Sequence, residues 1–144
     1  MIGGRVVLDT NVLVAASRSR NSASFALMNA LRNRRYTALV SVPLMLEYES
    51  VLKRAEHRHP TQDEAFVDAF LDALSLLVEP VHLHYLWRPQ TRDPADEMVL
   101  ETALNGRAEA LITLNVSDFA VAERFRLPVL TPGTFLKLLT GGNT

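Results

Sequence analysis

The sequence contains no cysteine. That excludes disulfides and thiolate metal sites, and it agrees with a reducing cytoplasm, the expected location. No apolar run approaches the roughly 18 residues that a membrane-spanning helix needs, so no membrane association is expected. The opening stretch "MIGGRVVLD" lacks the basic region and long apolar segment of a signal peptide; it reads as the first strand of the fold. A P-loop is absent, since nothing matches GxxxxGK[ST]. The stretch "DTNVL" offers no glycine for a dinucleotide-binding turn. Internal repeats, low-complexity tracts and linkers are also missing.

What remains is the composition of a globular domain. The 144 residues are 48% hydrophobic and 22% charged, enough to bury a core without covalent staples. One domain over residues 1–140 is expected, with a flexible tail at 141–144. The net charge is −1, but it is unevenly spread. Residues 1–59 hold nine Lys/Arg and four Asp/Glu, whereas residues 60–144 hold six and twelve. This asymmetry fits either a basic face beside an acidic one or helices whose solvated faces differ in charge.

Strand and helix patterns alternate along the chain. Strands are expected at 5–9, 38–41, 78–86, 108–114 and 128–131. Helices are expected at 11–17, 22–34, from Val42 with Ser41 as N-cap, 61–77 with Thr61 as N-cap, 93–106 with a glycine stop at Gly106, 117–125 and 132–139. The alternation predicts an α/β fold, a mainly parallel central sheet flanked by helices on both faces. Functional sites in such folds lie beyond the C-terminal strand ends.

"RVVLDTN" therefore raises a question: a β-branched, apolar run ends on Asp9, and a carboxylate at the edge of a core is costly unless something compensates it. Thr113, Asn115 and Asp118 follow the strand at 108–114 and face the same end of a parallel sheet. Glu47, on the helix after "ALVS", and Asp93 and Asp96, opening the helix after "RPQTR", can converge there. Clustered carboxylates stay ionised together only around a cation. All-oxygen ligands favour Mg²⁺ or Mn²⁺, which suits phosphodiester hydrolysis.

Taken singly, each acid has a plainer explanation. Asp9 suits a helix cap, "DPAD" is a common helix start with Asp93 as cap and Asp96 at the third position, and Asp118 suits a cap for the short helix. Glu47 borders an apolar face, while Glu49 lies on another side near Lys53; periodicity does not choose between them.

The segments "VVLDTNVLV", "SVPLMLEYESVL", "RDPADEMVLETAL" and "ALITLNVSDF" occur in the order found in PIN-domain ribonucleases. The chain resembles that family from Val6 to about Leu139, and within it the VapC-like toxins of bacterial toxin–antitoxin systems. The resemblance implies a single PIN-like domain with Mg²⁺- or Mn²⁺-dependent endoribonuclease activity, leaving a 5′-phosphate and a 3′-hydroxyl. It also implies a cognate antitoxin and a homodimer as partners. The family's acids map onto Asp9, Glu47 and Asp96, with Asp93 accompanying them. At the fourth acidic position this chain has Asn115, and Asp118 stands three residues on as a replacement carboxylate. Asn11 and Thr113 match polar residues that support the centre by hydrogen bonds. The departure at Asn115 keeps a second reading open, a catalytically weakened PIN-like module that binds RNA or protein.

RNA approaching an acidic cleft needs flanking cations. Arg18 and Arg20 are the candidates for phosphate contact. Arg32, Arg34 and Arg35, and likewise Lys53, Arg54 and Arg58, suit helix C-termini. His57 and His59, and His82 and His84 alternating on a strand, lack a third ligand and read as surface or supporting residues. Tyr85 and Trp87 suit either base stacking or an interface. A haloacid-dehalogenase-like phosphatase also begins with a strand ending in Asp, but it needs a second acid where this chain has Asn11.

Overall fold

The computed structural model describes residues 4–54, 63–85 and 90–141. Five strands, β1 (Arg5–Leu8), β2 (Thr37–Val40), β3 (Val78–Pro80), β4 (Ala110–Ile112) and β5 (Val129–Leu130), form one sheet in the order β3-β2-β1-β4-β5. Every pairing is parallel. Among the described residues, α-helices run over Thr10–Arg18 (α1), Ala23–Arg32 (α2), Val42–Leu52 (α3), Glu64–Ser75 (α4), Pro94–Asn105 (α5) and Pro132–Gly141 (α6). A 3-10 segment spans Val116–Phe125 and is kinked at Phe119.

The central strands show why a parallel sheet forms here. Val6, Val7 and Leu8 are all buried, as are Ala110, Leu111 and Ile112. Consecutive residues point to opposite sides of a strand, so burial without alternation means that both faces are covered. The chain first winds outward from β1 through β2 to β3, then returns to β4 on the other side of β1. The reversal leaves a crevice between the C-terminal ends of β1 and β4, the usual binding place in such sheets. Asp9 and Thr113 directly follow those two ends.

Buried polar contacts fix the elements around this crevice. The Tyr48 hydroxyl donates to the Leu8 carbonyl and ties α3 to β1. The Ser41 and Thr102 hydroxyls lie 2.7 Å apart and link the start of α3 to α5. Ser41 also accepts from the Leu44 N–H as the expected N-cap, with Pro43 in the first turn.

Several boundaries differ from the sequence expectation. β3 stops at Pro80 rather than running to residue 86, because its partner β2 ends at Val40, where Ser41 turns the chain into α3. Residues 84–85 are held instead by Asn105, whose side-chain oxygen accepts from the His84 and Tyr85 N–H groups. His82 and His84 are therefore not a strand pair; both are exposed, with rings 6.5 Å apart. α4 begins at Glu64, capped by Asp63, which accepts from the Phe66 N–H. Thr61, His57, Arg58, His59 and Trp87 lie outside the described residues.

Gly106 ends α5 with φ −83°, so the stop does not use a left-handed glycine. The left-handed residue is Arg107, φ 53°. Gly106 answers to space: an added Cβ would stand 2.9 Å from Val81 and 3.0 Å from Leu39.

Candidate metal centre

Asp9 leaves β1 as the N-cap of α1 and is only 7% exposed. One carboxylate oxygen accepts from the Thr10 N–H at 2.8 Å, and the other accepts from the Thr113 hydroxyl at 2.7 Å. The cap and the charged-site readings thus hold together, since an ionised carboxylate has about four acceptor positions. Thr113 is fully buried, and its oxygen accepts in turn from the Asn115 N–H at 3.0 Å. Asn11 closes the seam: its side-chain NH₂ points to the Thr113 oxygen, and its own oxygen accepts from the Leu114 N–H at 3.3 Å. Asn11 and Thr113 therefore join the start of α1 to the end of β4.

A cavity of about 540 Å³ opens over this seam. Asp9, Glu47, Asp93, Asp96, Asn115 and Asp118 all line it, together with Arg18. Glu49 faces elsewhere. It is 3.1 Å from Lys53, which also reaches Asp68 of α4 at 2.8 Å. The surface ion pair uses one acid of α3 and leaves the other to the cavity. Asp93 caps α5 by accepting from the Ala95 N–H at 2.9 Å. Asp118 is not the cap of its segment; Asn115 holds that position without a side-chain cap bond, and Asp118 stands in the first turn. Arg20 is exposed beyond α1 and does not line the cavity. Of the Arg32–Arg35 cluster, none lines the cavity; Arg34 follows α2 with a left-handed backbone, and Arg35 donates to the Leu139 carbonyl.

The electrostatics of the cavity are those of crowded like charge. Burial raises the Asp9 carboxyl above its ordinary 3.8; the bonds from Thr113 and Thr10 oppose this, and the charges of Asp118 and Asp93 add to it. Asp96 is pushed up to about 7, by burial first and then by the negative charges of Asp9, Asp93, Asp118 and Glu97. A cation in the cavity would reverse these shifts. The donors are carboxylates and one amide, an all-oxygen set that fits a hard divalent ion. Among the described residues, no three acidic or histidine side chains are already drawn together at chelating distance, as expected of carboxylates that repel one another.

Sequence reasoning passed over two acids on α5. Glu97 is 4% exposed and Glu101 fully buried. Glu97 accepts from the Gln90 and Thr91 N–H groups through one oxygen, and among the described residues its other oxygen has no partner. The signal was present: both lie one helical turn apart in a stretch where Val99, Leu100 and Ala103 are core.

The PIN domain family profile matches residues 5–117, well over half of the chain. No curated protein matches the sequence. Among solved structures, VapBC2 from Rickettsia felis, bound to a DNA fragment from its promoter, has a similar chain with TM-score 0.61 and 15% identity. The match covers 88% of this chain and 98% of that one. VapBC-1 from nontypeable Haemophilus influenzae gives TM-score 0.60 at 15% identity, over 90% and 98%. FitAcB from Neisseria gonorrhoeae gives 0.50 at 15%, over 88% and 97%. At this identity the likeness speaks for the fold.

Proposed function

Since this chain belongs to the PIN-domain family, we propose that it is a Mg²⁺- or Mn²⁺-dependent endoribonuclease and the toxin of a toxin–antitoxin pair. One observation carries the reading: Asp9, Glu47, Asp93 and Asp96, drawn from three separate elements, line one cavity at the switch point of the sheet. Burial first, and then the negative charges of Asp9, Asp93, Asp118 and Glu97, raise Asp96 to about 7, a cost that a structural site would not retain without compensation.

Asp9, Asp96 and Glu47 would hold the ion, with Asp93, Asn115 and Asp118 lining the same cavity. When bound, the ion supplies positive charge to a phosphate and acidifies a water. The Thr113 hydroxyl orients Asp9 and favours its ionised form against the effect of burial. Glu47, half-buried on α3, accepts the proton of the attacking water. Arg18 on the cavity rim takes a nonbridging phosphate oxygen. Hydrolysis leaves a 5′-phosphate and a 3′-hydroxyl. The names VapBC and FitAcB of the structural neighbours support an antitoxin partner. A homodimer and a cytoplasmic location belong to the same reading.

Asn115 in the fourth acidic position favours one alternative, a weakened module that binds RNA without cutting it. Incubating single-stranded RNA with Mn²⁺, with and without chelator, separates the two. Cleavage that EDTA and Asp9→Asn both abolish supports the enzyme, and binding without product supports the module.

A further inference from the structure

A second cavity, of about 590 Å³, adjoins the first and shares Asp93, Asp96 and Asp118 with it. The acids are thus the junction of a two-part trench rather than the floor of one pocket. Cations line both parts. Arg18 and Arg54 line the first cavity, and Arg92 lines the second. All three are exposed, and among the described residues none of them forms an ion pair.

Arg92 sits on a loop that is held on both sides. The buried Glu97 carboxylate accepts from the Gln90 N–H at 2.5 Å and the Thr91 N–H at 2.7 Å. The Thr91 hydroxyl donates to the Asp93 carbonyl at 2.9 Å, and Asp93 caps α5. The residue between Thr91 and Asp93 therefore has a fixed backbone, and less ordering is lost when its guanidinium meets a ligand. The rest of the second cavity presents Ser117, Ala120 and Val121. Among the described residues no aromatic side chain lines it, and the contact assigned to Arg92 is one with the sugar–phosphate backbone.

We propose that one flexible nucleic-acid strand crosses the acids from the first cavity to the second, with Arg18 and Arg54 gripping phosphates on one flank and Arg92 on the other. Glu97 is the positioning residue that holds the Arg92 loop. The proposal rests on the ribonuclease reading for the chemistry at the junction, but the path can be tested apart from that chemistry.

The probe is a labelled single-stranded RNA of about 16 nucleotides, the upper end of common single-strand site sizes. Binding to the full chain carrying Asp9→Asn is measured across a salt series, with and without added Arg92→Ala. The arginine loss should weaken binding about three- to tenfold and lower the log–log salt slope by about 0.7, the value for one phosphate contact on a single strand. Arg92→Lys should restore the slope, because it keeps the charge. In the otherwise unaltered chain, Arg92→Ala should raise KM and leave kcat nearly unchanged.

If that chain cuts RNA while Arg92→Ala changes neither slope nor KM, the path is wrong and the nuclease reading stands. If it never cuts, yet Arg92→Ala lowers the slope, the path stands and the nuclease reading falls. A duplex of the same sequence showing the same affinity and slope loss overturns the single-strand assignment. Absence of RNA binding overturns the whole proposal.

Discussion

The two ends of the sheet treat charge in opposite ways. At the N-terminal end, Arg5 pairs with Glu79, donates to the Gly106 carbonyl at 3.1 Å, and offers its backbone N–H to Glu109. Cations and anions meet there one against another. At the C-terminal end, Asp9, Glu47, Asp93, Asp96 and Asp118 share one cavity, and burial, with the negative charges of neighbouring acids added to it, drives the Asp9 and Asp96 carboxyls toward protonation. A fold that can pair its charges at one end had the means to do so at the other. The unrelieved repulsion marks the end where a ligand is expected to supply the missing charge.

Asp9→Asn should break this contrast most sharply. Asparagine keeps the oxygen that caps α1 and removes the charge. Cleavage of single-stranded RNA with Mn²⁺ should fall more than about 100-fold, beyond what loss of a mere supporting contact produces. The thermal midpoint of the metal-free chain should hold or rise, because one member of a repelling group is gone. Full retention of chelator-sensitive activity would remove Asp9 from the centre.

Thr113→Val tests the same end through a neutral residue. Valine fills the fully buried space but cannot donate to Asp9. Loss of a bond to a charged group should cost about 1–3 kcal/mol, measured by denaturant unfolding. Since that bond lowers the Asp9 pKa, its loss raises it further. The acid limb of the pH–rate profile should move to higher pH, and activity near neutrality should drop about 10–100-fold, as for other groups that orient a ligand. An unmoved limb would mean that Asp9 is not the group being titrated.

These predictions turn on residues of unequal legibility. Asp9, Ser41 and Asp93 announce themselves locally, each standing where an apolar strand or loop gives way to a helix. The parallel sheet was legible from the alternation of strand and helix patterns along the chain, and the burial of all of Val6–Leu8 shows the cover on both faces that such a sheet needs. Glu47 was not readable from periodicity; what separates it from Glu49 is a partner on another helix, Asp68, which shares Lys53. The length of β3 depended on where β2 stopped pairing. Arg54 and Arg92 look like any exposed arginine until the trench is built. Glu97 and Glu101 were missed because an acid on a helix is read as solvated unless its neighbours are known to be core.

Asp96→Asn should act on stability through pH. In the folded chain Asp96 takes up its proton below about 7, whereas its ordinary value is 3.8. Between those values the folded state binds more protons than the unfolded state, so stability falls as pH rises through that window. The carboxyl is partly exposed, and solvent screening reduces the effect to about 1–2 kcal/mol. Without metal, the variant and parent should be equally stable near pH 4, and the variant more stable above pH 7. Mg²⁺ should cancel the parent's deficit. A parent that loses nothing relative to the variant between pH 4 and pH 7 would place Asp96 away from the other acids.

Arg5→Ala is the counterpart at the paired end and should do least. Its side chain is 39% exposed and that of Glu79 45%, and ion pairs this open contribute about 0–1 kcal/mol. The bond to the Gly106 carbonyl belongs to the same range, because water can replace it at that exposure. Loss of the cation leaves Glu79 solvated rather than buried, so no desolvation penalty is stranded. Urea unfolding should therefore shift by no more than about 1 kcal/mol, and the shift should shrink in high salt. RNA cleavage should be unchanged, since Arg5 opens β1 at the end opposite the acids. A loss of cleavage comparable to that of Asp9→Asn would show that the two ends are coupled through β1, and would remove the contrast on which the placement of the site depends.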